Sequence, residues 1–277
     1  MAQADFKFTY PEAQSGDFDR IVRGHVIPDP YQPMEQYEDD GVKAWAGAQD
    51  DIAAAFLSDH TRAKEFADWL VAETQPLPPL WRDRRGDVSF YCTVPVGQEA
   101  TQICRRDGMG EACLLNSADL DGHLVPFSFD LSATGKSLVL RTMQGGNPLQ
   151  TIRVLDCETG QLVDQSPFGV VEPAVAWLAD ESGFFYSRCT HLFVEGGLVS
   201  DGVYFHRLGD DWQNDVRVFH YPGETGLGHI AQPSLSDDGQ FLILQTYQFS
   251  SSDSGLLVAA LPATYDGSEP LVFTELL

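Results

Sequence analysis

Seven histidines, His25, His60, His123, His191, His206, His220 and His229, are the side chains best suited to proton or metal chemistry at neutral pH. No His-x-His or His-x-x-x-His spacing occurs among them, so no strand or helix carries two imidazoles to one ion, and no metal site is expected. Asp39-Asp40-Gly41, Gly209-Asp210-Asp211 and Asp237-Asp238-Gly239 resemble fragments of calcium loops. They lack the alternating oxygens and closing Glu that such loops need, so they read as solvated turns. Gly145-Gly146-Asn147-Pro148 and Gly223-Glu224-Thr225-Gly226-Leu227-Gly228 do not lead a strand into a helix with a lysine, which argues against a phosphate cradle. Ser250 to Ser254 reads as a loop rather than a phosphorylated tract. Cys92, Cys104, Cys113, Cys157 and Cys189 are odd in number, form no Cys-x-x-Cys pair and mostly fall in strand-like runs. They read as buried free thiols. No Gly-x-Ser-x-Gly elbow is present to expose a serine nucleophile. No catalytic, cofactor-binding or metal-binding residue is assigned.

The elements behind these residues are strands. Ala174-Val-Ala-Trp177-Leu-Ala-Asp180-Glu-Ser-Gly183-Phe-Phe-Tyr186-Ser187 reads as a β-hairpin: apolar runs flank a turn in which Asp and Ser bond their own backbone and Gly183 supplies a positive φ. The same grammar returns around Gly135 in Phe127 to Leu140, around Gly239 in Ser234 to Leu244, and more faintly around Gly86 in Asp83 to Phe90. These glycines recur at roughly 50 residues, a period that suits one four-stranded β-propeller blade per repeat.

Composition sets the outer bounds. A chain of 277 residues that is 43% hydrophobic and 11% aromatic is long enough for a large core. No apolar run is long enough to cross a bilayer, and the start, Met1-Ala-Gln-Ala-Asp-Phe, lacks the basic and apolar regions of a secretory signal, so a cytoplasmic location is expected. The formal charge of −24 makes nucleic acid and anionic membranes poor partners. Adaptation to high ionic strength and simple acidic drift both account for that charge.

Along the chain, residues 1 to 33 read as irregular and proline-bearing, with Pro28 and Pro30 bracketing Asp29. Helical spacing begins near Glu35 and runs through Trp45, Ala48, Ile52 and Phe56. A second helix is expected from Thr61, with Ala63, Phe66, Ala67, Leu70 and Val71 as its apolar stripe. Gln75-Pro76-Leu77-Pro78-Pro79 stops it, which divides the chain into a helical lead over residues 1–79 and a β region over residues 80–277.

Gly24-His25-Val26-Ile27-Pro28-Asp29-Pro30-Tyr31, the run Lys43-Ala44-Trp45-Ala46-Gly47-Ala48-Gln49-Asp50, and the stretches Val175 to Trp177, Gly183 to Arg188 and Leu235 to Gly239 occur here in one order. In that order they resemble the N-terminal part of the prolyl oligopeptidase family of serine peptidases. The likeness covers nearly the whole chain. Departures lie at the front: Arg23 stands where that family usually has His, Gln32-Pro33-Met34 replace Arg-Trp-Leu, and Asp50 replaces Asn. The resemblance implies a mainly β fold, a partial β-propeller of about four blades of a seven-bladed type, preceded by a short α-helical segment. It also implies that residues 1–79 pack on an α/β-hydrolase domain that carries Ser, Asp and His. The implied activity is hydrolysis of short proline-containing peptides after proline. With no nucleophile elbow, this chain alone is expected to be inactive and to stop within its fourth blade. The other reading is a catalytically silent propeller that binds a protein or peptide through its loops.

Overall fold

The structure is a computed structural model that describes residues 9–36, 39–58, 61–73, 81–95, 98, 100–120, 124–144, 149–171, 174–189, 191–194, 197–199, 201–220, 229–248 and 254–276. The proline cluster at 75–79, both glycine-rich runs at 145–148 and 223–228, His60, His123 and residues 250–253 lie outside the described residues. The chain divides into two compact units, Met1–Gln75 and Pro76–Leu277.

In the first unit, β1 (Asp19–Val22) and β2 (His25–Pro28) form an antiparallel hairpin. Residues 1 to 33 are therefore not wholly irregular. Arg23 and Gly24 both have positive φ, at 50° and 81°, and a two-residue turn of that hand matches the twist of paired strands. A Gly supplies only one of those two positions, so Arg-Gly is a weaker hairpin signal than Asn-Gly. Helix α1 (Asp40–Ser58) starts at Asp39, whose Oδ1 accepts from the amides of Gly41 at 2.9 Å and Val42 at 3.1 Å. Val42, Trp45, Ala48, Ile52 and Phe56 are among the less exposed positions and are spaced as one helical face. The Trp45 indole donates to the Pro11 carbonyl at 3.2 Å, which ties the irregular segment before β1 to that face. Helix α2 (Thr61–Glu73) leaves Phe66, Trp69 and Val71 exposed.

Among its described residues the second unit contains four antiparallel sheets of four or five strands. The first sheet is β3 (Trp81–Arg85), β4 (Val88–Thr93), β5 (Gln102–Asp107) and β6 (Gly110–Asn116), in sequence order. The second is β7 (Leu124–Leu131), β8 (Ser137–Gln144), β9 (Leu149–Asp156) and β10 (Leu162–Gln165), with β11 (Val170–Val171) also on β9. The third holds β12 (Val175–Trp177), β13 (Gly183–Arg188), β16 (Gly202–Arg207) and β17 (Val216–Phe219); the ribbon of β14 (His191–Val194) and β15 (Gly197–Val199) is inserted after β13. The fourth is β18 (His229–Leu235), β19 (Phe241–Gln248), β20 (Ser254–Ala260) and β21 (Thr274–Glu275). Each sheet is an open ladder of near-sequential strands. Strands therefore find their partners locally, without crossovers.

Successive sheets pack face to face. Phe90, Cys92, Ile103 and Leu114 of the first meet Leu131, Leu138, Leu140 and Leu155 of the second. Val139, Ile152 and Val154, pointing the other way from those same strands, meet Trp177, Phe184, Tyr186 and Trp212. Phe185, Val203 and Phe205 then meet Ala231, Leu242 and Leu244 of the fourth sheet. Side chains alternate across a strand, so a sheet buried on both faces needs an unbroken apolar run. Leu138-Val-Leu140 and Phe184-Phe-Tyr186 are such runs.

The hairpin turns follow one plan with one exception. Gly135 and Gly239 have φ of 76° and 68°, and each amide closes a turn onto the carbonyl three residues back, Ser132 at 3.1 Å and Ser236 at 2.8 Å. In the third sheet the equivalent residue is Glu181, with φ of 60° and its amide 3.0 Å from the Leu178 carbonyl. Gly183 is not the positive-φ residue expected there. It opens β13, where an added Cβ would stand 2.4 Å from the His206 carbonyl, so close approach of backbone, not turn geometry, requires glycine. Glu181 tolerates its conformation with outside help: its carboxylate accepts the Thr134 amide in the turn of the preceding sheet.

Candidate functional site

Two polar constellations stand out in the second unit, one open and one sealed. The open one is a cleft of about 260 Å³ lined by Asp83, Arg85, Asp130, Leu131, Ala133, Val175 and Trp177. Its walls come from β3, β7 and β12, the leading edge strands of three successive sheets. Arg85 is already engaged, 2.8 Å from Asp83 and donating from Nε to the Ser132 carbonyl at 3.1 Å. Asp130 faces Arg141 at 2.7 Å; burial pushes the Asp130 carboxyl up, against the pull of that guanidinium. The Trp177 indole donates to the Asp130 carbonyl at 3.3 Å. These groups can bind polar material at the cleft mouth, but none is a nucleophile held beside a base.

The sealed constellation is centred on His206, whose ring has no exposed surface. Its Nδ1 lies 2.7 Å from Asp215 Oδ1, and its Nε2 lies 3.1 Å from Asp164 Oδ2. The remaining carboxylate oxygens are also used: Tyr186 donates to Asp215 Oδ2 at 2.7 Å, Trp212 Nε1 to Asp164 Oδ1 at 2.7 Å, and the Gly209 amide to Asp164 Oδ2 at 3.1 Å. The Trp212 ring stacks on the imidazole at 3.8 Å. Burial opposes a charged imidazole, but the hydrogen bonds and charges of Asp215 and Asp164 outweigh it, so the His206 pKa is raised. Burial likewise opposes a charged Asp164, yet its bonds to Trp212, His206 and Gly209 hold its carboxyl below the ordinary range.

An Asp-His pair is part of what acyl transfer requires. Here carboxylates occupy both ring nitrogens, so neither can take a proton from a nucleophile, and no substrate reaches the ring. Asp164 comes from β10 of the second sheet, whereas His206 and Asp215 come from β16 and the approach to β17 in the third. The cluster is a clamp between sheets.

The histidines singled out in the sequence do not gather. His25 lies on β2, His206 in this clamp, His220 just after β17 and His229 at the head of β18; of His191, only its place on β14 is described. Among the described residues no group of three or more His, Cys, Asp or Glu is placed to hold a metal ion. Cys92, Cys104, Cys157 and Cys189 are buried, but Cys113 is exposed, contrary to the expectation of buried thiols. It sits on β6, an edge strand whose outward face no other described sheet covers. The clamp itself went unassigned in the sequence, although one signal was present: a His inside the apolar run Val203 to His206 must find partners if that strand is buried.

Face-packed antiparallel sheets at a fixed repeat, following one another in chain order, define a protein of the β-propeller class. The sequence profile of the prolyl oligopeptidase N-terminal β-propeller domain matches residues 10–266, and the chain belongs to that family. A prolyl endopeptidase of Elizabethkingia meningoseptica is 25% identical in an alignment that takes in 88% of this chain and 35% of that protein. The prolyl oligopeptidase ophP of Omphalotus olearius is 24% identical, over 85% of this chain and 36% of its own length. The chain thus spans about a third of the length of the curated relatives it matches. Among solved structures, one from a study of two prolyl endopeptidases aligns with a TM-score of 0.75 at 21% identity, covering 97% of this chain and 39% of that one. Prolyl oligopeptidase B from Galerina marginata, bound to a 35mer hydrolysis and macrocyclization substrate, aligns with a TM-score of 0.72 at 19% identity, over 96% and 41%. No helix among the described residues is long and apolar enough to cross a membrane.

Proposed function

We propose that this chain is the leading and propeller portion of a prolyl-oligopeptidase-like serine peptidase, in which it restricts access to a hydrolase domain that cleaves short peptides after proline. The observation that carries this reading is the family match across residues 10–266, combined with coverage of about a third of each relative. In this reading the four sheets are four blades of a larger ring, residues 1–79 dock on the α/β-hydrolase domain, and residues 80–277 form the access-limiting part. The exposed Phe66, Trp69 and Leu70 on one side of α2 support docking, because an apolar stripe gains most by burial against a partner. Chemistry would belong to an activated serine on the hydrolase domain, with backbone N–H donors for the oxyanion. A cytoplasmic setting fits the free thiols.

The test is cleavage of a blocked Gly-Pro chromogenic peptide. The chain alone should give no turnover, and adding a hydrolase domain of this family should restore serine-inhibitor-sensitive release. Inhibitor-sensitive turnover by the chain alone would overturn the reading. A second reading, a silent module that binds proteins or peptides, rests on the open cleft lined by Asp83, Arg85 and Asp130. Peptide binding at the Asp83, Arg85 and Asp130 cleft that persists without restored turnover would support it.

A further inference from the structure

Cys104 on β5 and Cys113 on β6 stand directly opposite each other in the antiparallel ladder. Directly opposed residues in such a ladder have Cα atoms about 4.5 or 5.5 Å apart, according to the type of site, and both values fall within the span of about 4.4–6.8 Å that disulfides occupy. Both side chains lie on the sheet face opposite core residues Ile103 and Leu114, so the thiols are cross-strand neighbours. A bulge brings them together: Ile103 pairs with Leu115 and Cys104 with Cys113, which leaves Leu114 as the extra residue, turned into the core. Cys104 is 2% exposed, whereas Cys113 is open to solvent and donates to the Leu115 carbonyl at 3.3 Å. Cys92, on the neighbouring strand β4, packs in the core on the opposite face.

We propose that Cys104 and Cys113 form a peroxide-oxidisable dithiol on strands β5 and β6 of the first sheet, in which exposed Cys113 meets the oxidant and buried Cys104 resolves it. The Cys113 thiolate attacks one peroxide oxygen; an S–O bond forms, the O–O bond breaks, and the departing hydroxide leaves as water with the thiol's proton. The Cys104 sulfur then attacks the sulfenic sulfur. An S–S bond forms, the S–O bond breaks, and the hydroxyl leaves as water with the Cys104 proton. Two electrons pass from the pair of sulfurs to peroxide, and one peroxide yields two waters. On the same face Tyr91 pairs with Cys104 from β4, and Arg106 bridges Tyr91 and Glu111. Burial pushes the Cys104 thiol up to about 11 and raises Cys113 as well, so both rest as thiols at neutral pH and oxidation is slow compared with that of a dedicated sensor.

The experiment treats the reduced full chain with hydrogen peroxide, alkylates the remaining thiols and maps tryptic peptides without reduction. The expected product is a Cys104–Cys113 link that is lost on reduction and in Cys113→Ser, and that exceeds any other cysteine pair by about tenfold, since disulfide geometry is restrictive. A trivalent monoaryl arsenical, which needs two adjacent thiols, should bind the native chain at one per molecule and fail to bind Cys113→Ser. Sulfinic or sulfonic Cys113 without a link, or arsenical binding undiminished in Cys113→Ser, would overturn the proposal.

Discussion

Strands β13 and β19 occupy corresponding places in the third and fourth sheets, yet their surroundings differ. In β13, Phe184, Phe185 and Tyr186 expose no surface, because Phe184 and Tyr186 pack on the second sheet and Phe185 packs toward the fourth. In β19, Leu242 and Leu244 are sealed against the third sheet, whereas Phe241 is 40% exposed and Gln245 faces solvent. The difference teaches that position in the stack, not strand propensity, decides how much each side chain contributes. A sheet between two others uses both faces, and one at the end of the described stack uses one.

The strongest way to break this comparison is to truncate one aromatic side chain on each strand, a sealed one and an open one. Phe185→Ala removes a ring packed on Phe205 and Tyr265 and should cost about 3–5 kcal/mol in urea unfolding, whereas Phe241→Ala should cost within about 0.5 kcal/mol. Equal losses would show that both faces of the fourth sheet are covered. Next, Gly183→Ala forces a methyl group against the His206 carbonyl and the Phe205 ring and should cost about 1–3 kcal/mol. A neutral result would mean that β13 and β16 can separate without penalty.

How much of this was legible in the sequence depended on which interactions were local. The hairpin rhythm was legible because Leu138-Val-Leu140, Phe184-Phe-Tyr186 and Leu242-Ile-Leu244 are fixed by alternation and by turns a few residues long. The turn at Glu181 was misplaced by two residues, because Gly183 is conspicuous and the carboxylate contact that lets Glu181 adopt a positive φ comes from Thr134 in another sheet. The β1 and β2 hairpin was hidden by its Arg-Gly turn and its exposed, non-alternating strands. The clamp was invisible because Asp164 lies far from His206 along the chain, and no spacing rule links residues that meet only when sheets stack.

A smaller effect follows from the charge state of that clamp. The folded His206 pKa is raised above the unfolded value of about 6.5, so the stability it contributes is fully present below that pH and is lost as pH rises through the folded value. The Asp164 pKa is lowered, so its contribution is present above the ordinary carboxylate range and is lost as pH falls through its folded value. The urea midpoint should therefore decline as pH rises above about 6.5, and His206→Gln should flatten that decline. An unchanged slope in the variant would assign the decline to other groups.

Face packing of the second sheet on the third is tested most directly by a double-mutant cycle between Asp164 and His206 at about pH 6, where the imidazole is charged. Asp164→Asn, His206→Gln and the double variant, each unfolded in urea, should reveal a coupling of about 1–3 kcal/mol, as expected for buried partners in one network. Additivity to within about 0.5 kcal/mol would mean that the two residues do not meet across the sheets, and would contradict the stacked arrangement of the second and third sheets.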